Sequence, residues 1–96
     1  MDKFAQWLTK KLNPNRITIG SKVLDRYSNP GVVVKEFDNF SDLVAKSNFV
    51  TMTADEWLSA QEKPVTKQNL NERWFDVHID SGGSVWAFES GLTLIE

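Results

Sequence analysis

Alternation of apolar and polar positions is strongest between residues 73 and 96. Phe75, Val77 and Ile79 alternate with Trp74, Asp76, His78 and Asp80, the period of a half-buried strand. Asp80-Ser81-Gly82-Gly83 tolerates positive φ and reverses the chain, so residues 84–89 read as the returning strand. Glu89-Ser90-Gly91 makes a second tight turn before a last short strand over 92–95. Such a meander cannot bury its apolar face alone. The partners available upstream are residues 21–27 and 31–37, joined by the turn Ser28-Asn29-Pro30-Gly31. The continuous run Val32-Val33-Val34 implies cover on both faces of its strand.

Elsewhere the spacing becomes helical. Asp2 can cap a helix over 2–12 whose Phe4, Trp7 and Leu8 share one face, stopped by Asn13-Pro14-Asn15. About three turns are marginal alone in water, so this helix is expected to dock on the rest of the domain or on another chain. Asn39 or Ser41 can cap a short helix over 40–46, with Phe40, Leu43 and Val44 on one side. Thr53 and Glu56 have capping-box spacing, and Met52 and Trp57 that of a hydrophobic staple, for a helix reaching about residue 61. Residues 65–71 read as a polar linker. One domain over 1–96 results: an N-terminal helix and linker (1–15), strands within 20–37 and 72–96, and a two-helix insertion (38–71).

Gly20-Ser21-Lys22-Val23, Gly31-Val32-Val33, Trp74-Phe75-Asp76-Val77, the Asp80 to Gly83 hairpin and Glu89-Ser90-Gly91-Leu92 together resemble the broad group of SH3-like small barrels. The resemblance covers about sixty residues and rests on turn chemistry, which carries no active site. It implies a mainly β fold, a small barrel of about five strands. The group includes modules that touch RNA, Tudor-type readers and accessory subunits of larger assemblies. This chain departs from the nucleic-acid members in lacking a basic strand or loop cluster, and from peptide-binding members in its interrupting helices.

Composition narrows the chemistry. Without Cys, disulfides, thiol catalysis and thiolate metal sites are excluded, and a reducing compartment fits. No apolar run is long enough to span a bilayer, and the start lacks a signal-peptide pattern, so the expected location is cytoplasmic. His78, the only histidine, shares a strand face with Trp74, Asp76 and Asp80. One imidazole with two carboxylates makes at most a weak, oxygen-rich metal site, and a solvated strand face is the plainer meaning. Gly82-Gly83 lacks the lysine and following helix of a phosphate loop. The carboxylates Asp38, Asp42, Asp55 and Glu56 lack calcium-loop spacing. No catalytic motif, metal site or cofactor site is expected.

Two binding readings remain. Four Trp and six Phe exceed what so small a core easily hides, which favours a non-catalytic protein-interaction module or small accessory subunit binding a partner protein. Its anchors would be Trp57, Phe49, Phe40, Trp74 and Trp86, with Trp74 and Trp86 stacked across the hairpin on the outward face. The competing assignment gives that face to the domain's own N-terminal helix as a second small core. The other reading is single-stranded nucleic acid or RNA, held by Lys10, Lys11, Arg16, Lys22, Arg26 and Lys35 with stacking aromatics. Against it stand the net charge of -2 and the interruption of that basic stretch by Asp25, Glu36 and Asp38.

Overall fold

The computed structural model describes residues 16–47 and 52–95. Five antiparallel strands, β1 (Lys22–Leu24), β2 (Pro30–Phe37), β3 (Trp74–Ile79), β4 (Ser84–Phe88) and β5 (Thr93–Leu94), form one sheet in the order β4-β3-β2-β1-β5. Three short helices lie between β2 and β3: α1 (Phe40–Lys46), α2 (Ala54–Ser59) and α3 (Lys67–Leu70). The fold is mixed α/β.

The SH3-like barrel implied by the turn chemistry is not what forms. The sheet is open: β4 and β5 are its two edges, and no ladder joins them among the described residues. Closure needs edge strands long and curved enough to meet. β5 has two residues and β1 only three, so neither offers the length.

β1 is shorter than its apolar pattern implied because Asp25 starts the turn early. Its Oδ1 accepts from the backbone N–H of Tyr27 at 2.9 Å and of Asn29 at 2.8 Å, and its Oδ2 accepts from Asn29 Nδ2 at 3.2 Å. Side-chain capture of nearby N–H groups competes with the strand ladder. Ser28 completes the turn at φ 67°, and Pro30 opens β2, a position where its missing N–H is tolerated. The register of β2 on β3 shifts between Val33 and Lys35. That bulge puts the two ends of β2 to different uses. Val33 is fully buried on one face, while Phe37 is buried on the other with Trp74.

Two apolar clusters follow, one on each side of the sheet. The first joins Ile17, Val23, Val33, Phe75, Val77 and Leu92. The second joins Phe37, Phe40, Leu43, Trp74 and Phe88, with Trp57, Leu58, Leu70 and Trp86 packed against it. Phe75 and Val77 alternate with Trp74 as the period-2 pattern requires, but both faces are covered at this end of β3. At the other end His78 is exposed.

The helices form for local reasons. Asn39 accepts from the N–H of Asp42 at 2.8 Å and caps α1. Asp42 in turn accepts from the N–H of Asp38 and pairs with Lys46, which together hold its carboxyl below the usual range. Thr53 and Glu56 make the capping box of α2, although Met52 remains 39% exposed. α3 replaces the expected polar linker. Its capping box pairs Thr66 with Asn69. The N-terminal helix and linker over 1–15, with Lys10 and Lys11, and the segment containing Phe49 lie outside the described residues. No helix among the described residues is long and apolar enough to cross a membrane.

Candidate functional site

Trp74 is the centre of the aromatic cluster. It is 0% exposed, its ring centroid lies 4.8 Å from Phe40, 5.9 Å from Trp57 and 5.3 Å from Phe88. Its indole N–H donates to the Asn69 carbonyl at 2.9 Å, so α3 satisfies the one polar atom that burial would otherwise orphan. Phe40 is 7% exposed. As surface anchors, Trp74 and Phe40 are therefore withdrawn. The outward face assigned to Trp74 is covered by residues of α1, α2 and α3.

Trp57 and Trp86 are different. Both are half-buried, and their rings meet edge to face with centroids 5.5 Å apart. They flank a cleft of about 460 Å³ between β4, α2 and the β1–β2 turn. Tyr27, 38% exposed, stands at its rim, and Gln61, Asp25 and Asp76 complete the wall. Ser84, exposed at the start of β4, also borders it.

The rim is tied together by two cations. The Arg26 guanidinium lies 5.5 Å from the Tyr27 ring centroid and 5.0 Å from that of Phe88, and donates to the Pro64 carbonyl at 3.3 Å. Lys63 donates its ammonium to the Arg26 carbonyl at 2.6 Å and its backbone N–H to the Tyr27 hydroxyl at 3.3 Å. These contacts fasten the segment after α2 to the β1–β2 turn. Cation–π contacts of this kind are worth about 0.5–1 kcal/mol each at exposed sites.

Two carboxylates face the same region with different status. Asp25 is 7% exposed and spends both oxygens on its turn. Asp76, directly across from Trp86 in the β3–β4 register, has its Oδ1 buried without a hydrogen-bond partner. It is the only buried side-chain polar atom in that condition among the described residues. Sequence spacing placed Asp76 beside His78, which is exposed. No group of three His, Cys, Asp or Glu suited to a metal occurs among the described residues.

Arg16, Lys22 and Lys35 are exposed, while Arg26 is engaged at the cleft rim. Arg73 is committed to Glu89, Glu36 and the Ile17 carbonyl, and the bond to Glu89 raises its pKa further above the ordinary arginine value. The cleft itself was missed from sequence, because Tyr27, Trp57, Asp76 and Trp86 are far apart in the chain. Comparison with protein-family models, curated proteins and solved structures gives no match to this chain.

Proposed function

We propose that the domain is a non-catalytic binding module that holds a partner protein at the cleft between Trp57 and Trp86. The observation that carries this is the contrast within one aromatic cluster. Trp74 and Phe40 are spent on the core, whereas Trp57, Trp86 and Tyr27 line the cleft. A cleft of about 460 Å³ is of the size that accepts one or two side chains, and half-exposed Trp and Tyr are the residues that most often anchor an interface. The nucleic-acid alternative has weaker support, since Arg26 is engaged at the cleft rim and the net charge is -2.

The test is a comparative capture from lysate of the source organism, with wild type beside Ser84→Arg and Ser81→Arg. Ser84 is exposed at the cleft border and Ser81 is exposed on the hairpin turn, so neither change disturbs the core. The module reading expects a specific protein kept by wild type and Ser81→Arg and lost by Ser84→Arg. Equal recovery by Ser84→Arg contradicts the cleft as the contact. Retained material that is nucleic acid, and that falls away steeply as salt rises, would favour the alternative.

A further inference from the structure

Resting on that reading, we infer that the cleft takes the ammonium of a lysine side chain on the partner protein, with Asp76 as its counter-charge. A carboxylate oxygen buried without a partner is costly, and native structures seldom keep one without a missing ligand, ion or water to explain it. Asp76 Oδ1 is such an atom. Asp76 lines the cleft with Trp57 and Trp86, and with Oδ1 shut off from solvent it meets that space through its other oxygen; indole faces attract cations and pack on a methylene chain.

The cations already nearby do not fill the role. Arg26 is directed to Tyr27, Phe88 and Pro64, and Lys63 to the Arg26 carbonyl. Lys35 stands across from Asp76 in the β2–β3 register, yet it is exposed and forms no ion pair with Asp76. Asp25 lends a second negative charge to the wall while its oxygens stay on the turn. With Oδ1 buried, Asp76 offers the cleft one oxygen, which suits a point charge that needs one acceptor; a guanidinium, which binds best through two parallel hydrogen bonds, fits less well.

The experiment titrates the whole chain with Nα-acetyl-lysine methylamide and, separately, with the neutral Nα-acetyl-norleucine methylamide. Binding is followed by the indole Nε1–H resonances of Trp57 and Trp86. The lysine probe should shift both saturably in the millimolar range and bind about tenfold more tightly than the norleucine probe. Asp76→Asn, of nearly the same shape, should reduce the lysine probe to the norleucine level while its thermal unfolding shows the fold intact. Equal binding of both probes to wild type would overturn the ammonium assignment and leave the binding-module reading standing. Tighter lysine binding that survives Asp76→Asn would overturn Asp76 as the counter-charge, and with it the proposal. No shift with either probe at about 10 mM would also overturn it, and the capture experiment with Ser84→Arg would still decide the module reading by itself. If Lys35 fills the place in solution, Lys35→Met would bind the lysine probe where wild type does not, and the partner's lysine would lose its role.

Discussion

Trp74→Ala is expected to cost about 3–5 kcal/mol of stability, the range for removing a large buried aromatic side chain. Trp74 is fully buried and touches Phe40, Trp57 and Phe88 at once. Its loss opens a cavity where β3, β4, α1 and α2 meet, and leaves the Asn69 carbonyl without its indole donor. Domains are stable by only about 5–15 kcal/mol, so the variant should lose most of its margin. Trp74→Phe keeps a ring but removes the N–H, and should cost less, about 1–2 kcal/mol beyond the change in volume. Urea unfolding of the three proteins checks this through the transition midpoint at unchanged slope. A Trp74→Ala protein within about 1 kcal/mol of wild type would mean that the helices do not press on this face of the sheet.

The second large effect belongs to Gly31→Ala. Gly31 is buried in β2 opposite Ile79. A Cβ there would lie 2.5 Å from the His78 carbonyl oxygen and 2.9 Å from Val77 Cγ1. The first contact is with backbone in the adjoining strand, which cannot turn aside as a flexible side chain can. β2 and β3 would have to part at the middle of the sheet. A loss of about 2–3 kcal/mol, the upper part of the range for overpacking, is expected. Amide hydrogen exchange should show the loss of protection concentrated at residues 30–33 and 77–80. Unchanged exchange across that ladder would place the two strands farther apart than the register requires.

Much of the local structure was legible because it depends on neighbours in the chain. The alternation of Phe75 and Val77 with Trp74 and Asp76, the hairpin at Gly82-Gly83, the cap at Asn39 and the box from Thr53 to Glu56 are all short-range chemistry. Three features were not legible, each for a physical reason. Period 2 says that the two sides of β3 differ, but not which side something else covers. Trp74 was therefore read as outward, whereas Phe40, Leu43 and Leu70 bury it. Barrel closure depends on strand length and curvature. Asp25 ends β1 after three residues by capturing two amides, so the turn motifs that suggested a barrel lead to an open sheet. The third is α3, whose box uses Asn69 in place of the more familiar Glu or Gln and whose helix is only four residues long.

The cleft shows the same division. Trp57 and Trp86 were chosen as aromatic anchors without any means of knowing that they meet. Arg26 was grouped with the basic residues, yet it stacks on Tyr27 and Phe88 and shapes the rim. Asp76 was weighed with His78 along one strand, when its relevant neighbour is Trp86 across the ladder.

Everything proposed for the cleft depends on α1, α2 and α3 sealing Trp74 while Trp57 bridges from it to Trp86. Hydrogen exchange and NOE contacts of the indole groups report this directly. The Trp74 Nε1–H should exchange slowly, because it is buried and bonded to Asn69, and the Trp57 ring should show NOEs to both the Trp74 and Trp86 rings. Fast exchange at Trp74, or a Trp57 ring that contacts neither, would contradict the two-sided sheet and remove the wall on which the ammonium site is built.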